Sequence, residues 1–201
     1  MNKLLLLVSS AALAACVSAP PPATSTSASQ PITRDACPAS VPAALAPAVD
    51  QDLAFVLDAQ GFQDYTCQAT ATGFAWAFVA PDADLYLQHE DDTIVGHHFA
   101  GPTWEYEDGS FVVAAKQAAA QPDKSAVPWL LLVAVSHGGD DGRMTPVTSI
   151  QRLVTVGGIA PASGCDAAHT GQAAAVAYTA SYYFYVTRNG HKDNNVRCGA
   201  D

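Results

Sequence analysis

Four side chains in one short stretch carry most of the chemistry this sequence offers: His98, Trp104, Glu105 and Asp108. An imidazole and carboxylates set against an indole wall can bind a ligand or exchange protons as acid and base. The plainer arrangement, and the commoner one, is a core histidine whose ring nitrogen bonds a carboxylate or a backbone carbonyl. His97 does not enlarge the cluster. In a strand, His97 and His98 point to opposite faces and cannot share a metal ion. Arg152 follows Gln151 between apolar neighbours. An arginine inside a packed element must be paired, for which Glu105 or Asp108 is the expected partner, or must hold an anionic ligand.

Other reactive types lack the surroundings that would activate them. Ser110 follows Asp108-Gly109, but no Gly-x-Ser-x-Gly elbow surrounds it, so it reads as a turn serine. The stretch from Ser136 to Gly142 has oxygen ligands and flexible glycines suited to Ca²⁺ but not the alternating spacing of a calcium loop, and reads as a solvated hairpin. Trp76, Trp104, Trp129, Tyr182, Tyr183 and Tyr185 could line a sugar-stacking platform, although aromatics at strand period are more often core. No motif calls for a cofactor or a resident metal.

These residues must be positioned by strands. Leu53 to Leu57 and Phe62 to Ala69 read as two strands separated by a turn at Ala59-Gln60-Gly61. Phe74 to Val79 places aromatics at every second position and is expected to stop at Pro81-Asp82. A short strand at Leu85-Tyr86 then precedes the acidic turn Glu90-Asp91-Asp92. Further strands are expected at 93–99, 103–106, 111–115, 129–136 and 178–187, with Asp108-Gly109 as a hairpin turn. Val147 to Val156 fits strand or helix. Short helices are expected at Pro42 to Ala48 and Ala167 to Ala175. The resulting class is mainly β: an antiparallel sandwich or barrel with one or two short helices.

The chain has 201 residues, 49% hydrophobic and 14% charged, with a formal net charge of -10. One domain is expected, and the sign of the charge argues against nucleic acid as a partner. Lys3 before Leu4-Leu5-Leu6-Leu7-Val8, closing on Leu13-Ala14-Ala15-Cys16, reads as an export signal over residues 1–15. Its end resembles the bacterial lipobox, which implies lipidation of Cys16 and a membrane partner through that anchor. The ordinary secretory alternative leaves Cys16 incidental. Val17, rather than Asp, follows the cysteine, which by the same resemblance implies an outer-membrane lipoprotein of the cell envelope. Residues 16–36 are Ala, Ser, Thr and Pro rich and read as an extended tether; residues 37–201 form the expected globular domain.

Export leaves Cys37, Cys67, Cys165 and Cys198 in oxidising surroundings, and no Cys-x-x-Cys suggests zinc or redox chemistry. Four thiols allow three pairings. Domain termini often lie close together, which favours Cys37 with Cys198 and leaves Cys67 with Cys165.

The strings Gly61-Phe62-Gln63-Asp64-Tyr65-Thr66-Cys67, His98-Phe99-Ala100-Gly101-Pro102-Thr103-Trp104-Glu105, Asp108-Gly109-Ser110, Pro128-Trp129-Leu130-Leu131-Leu132 and Ile150-Gln151-Arg152 occur in that order. Together with Gly157-Gly158, Pro161, Cys165 and Tyr183-Phe184-Tyr185 they resemble the exported family known as domain of unknown function 3455. That resemblance implies export and no agreed activity. Where the family usually has Asn after Gln-Arg and an apolar residue, this chain has Val154, so a polar role there is not carried over. Cys37 and Cys198 lie outside the matching stretch.

Three functions remain open from the sequence. The first is a lipid-anchored envelope domain holding a small molecule or glycan near His98, Trp104, Glu105, Asp108 and Arg152. The second is a hydrolase or isomerase using His98 with Glu105 or Asp108. The third is a structural envelope protein in which these residues are core ties. With no reaction-fixing motif, binding or structural roles rank above catalysis. An open pocket reached by His98 favours the first two; full burial favours the third.

Overall fold

The computed structural model describes residues 37–88, 93–188 and 198. Cys16, the signal and tether of residues 1–36, and the acidic turn Glu90-Asp91-Asp92 lie outside the described residues.

Alternation of apolar and polar side chains makes strands, and here it makes enough of them to close a sheet on itself. The strands are β1 (Gln51–Thr70), β2 (Gly73–Leu87), β3 (Ile94–Phe99), β4 (Thr103–Tyr106), β5 (Ser110–Ala120), β6 (Trp129–Gly139), β7 (Val147–Gly157) and β8 (Ala173–Thr187). Each pairs antiparallel with the next, and β8 returns to β1, so the fold is an up-and-down closed barrel rather than a sandwich. Short 3-10 turns at Ala43–Leu45 and Ala167–His169 are the only helical pieces among the described residues.

Several local expectations change. Ala59-Gln60-Gly61 is not a turn: β1 runs through it, and Gly61 is needed because β2 passes so close that a Cβ there would sit 2.2 Å from the Asp82 carbonyl oxygen. Nor does Pro81-Asp82 stop β2. Pairing of β2 with β3 covers only Ala83 to Tyr86, so the missing N–H of Pro81 removes no bond from that ladder. Val147 to Val156 is strand. The alanine-rich 167–175 stretch forms a single 3-10 turn capped by Asp166; Gly171, at φ +85°, reverses the chain and Ala173 begins β8.

The two faces of the barrel wall carry two separate cores. Inside, Phe55, Leu57, Leu85, Val112, Ile150 and Phe184 join Trp104 and Tyr182. Outside, Leu53, Val56, Leu131, Leu153, Tyr183 and Tyr185 are covered by the segment carrying Leu45. A register shift between Leu53 and Phe55 turns Leu53 to this outer layer while Phe55, Leu57 and Ala59 keep to the lumen. Gln151 ties the layer together: its Nε2 donates to the Leu45 carbonyl at 2.6 Å, and its Oε1 accepts from the Tyr185 hydroxyl at 2.7 Å.

Two disulfides close the domain with the expected pairing, Cys37–Cys198 and Cys67–Cys165. They span sequence separations of 161 and 98 residues. Each is worth about 4 kcal/mol in the chain-entropy model. Structural disulfides fit an extracytoplasmic protein.

Val154 sits where β7 and β8 change register, with φ +50°. The left-handed region costs an L-residue roughly 1–2 kcal/mol, and a β-branched side chain is poorly suited to it. Asn adopts it readily. Val154 is 56% exposed and buries little. Val154→Asn is therefore expected to stabilise by about 1 kcal/mol, raising the melting temperature by roughly 2–4 °C. Differential scanning calorimetry on both chains checks it; an unchanged or lower Tm contradicts the strain argument.

Candidate functional site

The β3–β4 hairpin turns at Gly101-Pro102 and sets His98 directly opposite Trp104. Both point into the lumen, where the rings stack with centroids 4.1 Å apart and planes within 10°. Tyr182 of β8 meets both edge-on, at 5.1 Å from His98 and 5.3 Å from Trp104. On β7, Arg152 stands opposite Tyr182 on one side and Leu130 of β6 on the other. These four side chains line a cavity of about 560 Å³ in one mouth of the barrel, with Gln63, Tyr65, Lys116 and Leu132. Pro102 and Pro128 also border it, and below Trp104 and Leu132 the lumen is filled by the inner core.

The cavity's far side is pinned by backbone carbonyls. Arg152 donates from Nε and Nη2 to the Pro128 oxygen, at 3.1 and 2.9 Å. Thr155 donates from its hydroxyl to Val127 O at 2.6 Å, and Tyr65 donates to Gly158 O at 2.6 Å. Gly158, at φ +77°, leaves room that a Cβ would take from Tyr178, Gln63 and Val127. The expected carboxylate partner of Arg152 is thus replaced by a carbonyl, and among the described residues no carboxylate forms an ion pair with it.

Two residues of the lining, Gln63 and Trp104, carry donors, Nε2 and Nε1, that make no hydrogen bond and are themselves closed off from solvent. Gln63 lies near enough to Tyr178 to favour the ionised form of that hydroxyl, against the larger opposing effect of burial, but outside good hydrogen-bonding geometry. A buried donor left unsatisfied costs about 1–3 kcal/mol.

His98 is neutral here. Burial, first of all, holds its pKa down at about 3; the bond to Thr103 opposes this and the nearby Arg152 charge adds to it. Nδ1 lies 2.8 Å from the Thr103 carbonyl oxygen and must donate to it, leaving the lone pair on Nε2. Burial also raises the Tyr182 hydroxyl pKa, with Arg152 opposing, so that group remains a protonated phenol.

Glu105 and Asp108 are not part of this site. Glu105 follows buried Trp104 in the strand and pairs with exposed His97 and with Phe111, so it belongs to the outer face. His97, as expected on the face opposite His98, lies 3.0 Å from Asp84. Asp108 occupies the turn at the other end of β4, a strand of four residues or roughly 13 Å. There it accepts bonds from the Ser110 amide and hydroxyl at 2.9 and 2.6 Å and from the Arg143 amide at 2.7 Å. Burial pushes its pKa up, and these bonds outweigh it to leave the carboxyl lowered. Ser110 is buried, and its oxygen also accepts from the Met144 amide at 2.9 Å, as befits a turn serine.

The aromatic platform is dispersed as well. Trp104 and Tyr182 are in the lumen, whereas Tyr183, Tyr185 and Trp129 belong to the outer core. Trp76 donates from its indole to Ser163 O at 2.9 Å. Sequence reasoning missed Gln63 and Tyr65. The signal was present, since both continue the period-two phase of Phe55, Leu57 and Ala59, but the supposed turn at Gly61 interrupted it. A second, more open hollow of about 560 Å³ lies on β1, β2, β7 and β8 around Asp82 and Asp84. None of the unpaired buried polar atoms belongs to its lining.

Fold and site together define a disulfide-tied, eight-stranded antiparallel barrel with a polar-tipped, apolar-walled cavity at one mouth. The chain belongs to the family described as "Protein of unknown function (DUF3455)", whose model matches residues 47–186. No curated protein and no solved structure matches the chain.

Because the folded ring resists protonation between pH 6.5 and about 3 while the unfolded ring accepts it, stability contributed by His98 is present above pH 6.5 and falls as pH drops through that window. The expected slope from this residue approaches roughly 1.4 kcal/mol per pH unit well inside it. His98→Asn keeps a donor for Thr103 O without titrating there. Urea unfolding of both chains at pH 7, 5.5 and 4.5 should show a shallower pH dependence in the variant; parallel profiles would contradict a buried neutral imidazole.

Proposed function

We propose that the protein is a lipid-anchored cell-envelope barrel that binds a small molecule in the cavity lined by His98, Trp104, Arg152, Gln63 and Tyr182. The observation that carries this reading is the cavity itself, walled by Val127, Leu130 and Leu132 and bordered by Arg152, whose guanidinium has no carboxylate ion-pair partner among the described residues. Eight-stranded barrels have lumens wide enough either to be filled by side chains or to hold one small ligand. This lumen is filled below Trp104 and open above it. A volume of about 560 Å³ is within the range of small-molecule sites. A stacked sugar is disfavoured, because His98 already covers a face of the Trp104 indole.

The catalytic alternative pairs His98 with Glu105 or Asp108, and the positions of those carboxylates on the outer face and at the opposite end of β4 take them away from it. The scaffold alternative gains from the near-complete burial of His98, 2% exposed, but gives no reason for the unfilled mouth.

The neutral fluorophore N-phenyl-1-naphthylamine tests the cavity. The full chain is expected to enhance and blue-shift its emission, and Leu130→Trp, which fills the mouth, is expected to weaken binding at least tenfold with Tm nearly unchanged. Absence of binding, or binding indifferent to Leu130→Trp, refutes the reading. The anchor is tested separately. Intact-mass measurement of the membrane-extracted protein should find a diacylglyceryl-modified N-terminal Cys16, and Cys16→Ser should release the chain from membranes; an unacylated product refutes anchoring.

A further inference from the structure

We infer that two copies of this chain pair through residues 73–80 of β2, strand to strand and antiparallel about Trp76, as a two-fold symmetric dimer. Neither the anchor nor a cavity ligand is needed for it.

The surface is an unpaired sheet edge. β2 runs from Gly73 to Leu87, but β3 meets it only from Ala83 to Tyr86. The β3–β4 hairpin turns back at Gly101-Pro102 before it can reach further. Residues 73–80 therefore have β1 along one side and, among the described residues, no strand along the other. The N–H and C=O groups of such an edge are a template for another strand, which proteins ordinarily guard with charge, proline or a bulge. Here residues 65–80 contain no charged side chain, and the first proline of β2 is Pro81. The register shift against β1 falls opposite Val79 and leaves residues 73–78 regular.

The same stretch is apolar and open. Phe74, Phe78 and Val79 are 40%, 54% and 57% exposed. With a formal net charge of -10, two copies repel over most of their surface, and an uncharged edge is where they can meet. A bilayer is the poorer occupant, because hydrocarbon cannot satisfy the edge's backbone groups, whereas a second strand does.

The occupant is written in the sequence of the edge. Phe74-Ala75-Trp76-Ala77-Phe78 reads the same in both directions. Antiparallel pairing with its own copy sets Trp76 against Trp76, Phe74 against Phe78 and Ala75 against Ala77, which supplies the self-complementary contact that a two-fold axis requires. The three rings alternate along the strand and so share one face, the face on which Phe78 meets Tyr65 edge-on at 5.8 Å. Opposed aromatic pairs are among the favourable cross-strand contacts. Pairing also brings Phe74 of the second copy beside Phe78, which lines the cavity mouth, so each copy adds a ring to the other's rim.

The test uses the full chain carrying Cys16→Ser, so that no acyl group drives association, in analytical ultracentrifugation from about 1 to 100 μM. A concentration-dependent monomer–dimer equilibrium is expected. Phe74→Lys, which charges the edge away from the cavity lining, should weaken it at least about tenfold with Tm nearly unchanged. The register is read by crosslinking. Trp76→Cys should form a disulfide with its own copy under mild oxidation, because directly opposed residues lie about 4.5–5.5 Å apart at Cα, within disulfide reach. Phe74→Cys alone should not. If Trp76→Cys does not fold, a mixture of Phe74→Cys and Phe78→Cys chains reads the same register, and the mixed disulfide is expected to dominate over either self-disulfide. A monomer throughout the range overturns the inference. So does a dimer indifferent to Phe74→Lys, or one that crosslinks through Phe74→Cys with itself. A monomer that sediments with neutral phosphatidylcholine vesicles, and is released from them by Phe74→Lys, assigns the edge to a lipid surface and overturns it as well.

Discussion

Closure of the sheet is the constraint on which the rest of this molecule depends. Eight antiparallel strands close into a ring, and their number sets a lumen that can be packed by side chains or left open to one small guest. In this chain the filling is uneven. Aromatic and branched residues occupy the lumen up to the level of Trp104, Tyr182 and Leu132, and above that level the inward positions are Gln63, Tyr65 and Arg152, with Lys116 at the mouth. The transition from packed to open follows the strand register, because His98, Trp104 and Tyr182 form one stacked tier that acts as a floor.

That floor accounts for the behaviour of the polar groups around it. An imidazole buried against an indole and a phenol, close to a guanidinium, stays uncharged. Its Nδ1 is committed to Thr103 O, which holds the β3–β4 turn in place and fixes the tautomer. Arg152 is tethered to the Pro128 carbonyl, so its charge is positioned without being neutralised. A carboxylate in that place would have made a closed structural pair. A carbonyl leaves the guanidinium charge uncompensated.

Much of the architecture was legible in the residues. Strand content, the opposite facing of His97 and His98, and both disulfides follow from period and from the closeness of domain ends. The misreadings have common physical causes. Gly61 and Pro81 are turn-formers by propensity, but here Gly61 admits a close backbone approach and Pro81 lies beyond the reach of β3, so tertiary closure overrode the local signal. Glu105 and Asp108 were grouped with His98 because they are near in sequence; the pleat sends Glu105 outward, and the length of β4 carries Asp108 to the other end. His98, Trp104 and Arg152 do meet, but what joins them is register across β3, β4, β7 and β8, which no local pattern reveals.

The division of labour between the two cores explains how an incompletely filled mouth is tolerated. The outer layer of Leu45, Leu53, Leu153, Tyr183 and Tyr185, locked by Gln151, braces the strands from outside, and Cys37–Cys198 ties down the segment that covers it. Cys67–Cys165 crosses from β1 to the loop between β7 and β8, while Tyr65, two residues away, bonds Gly158 at the start of that loop. Stability is thus supplied by contacts outside the cavity and by crosslinks independent of what fills it. The buried unpaired donors Gln63 Nε2 and Trp104 Nε1 weaken the fold only locally. A barrel stabilised only by its lumen could not leave that lumen open; one braced on its outer face and tied by disulfides can.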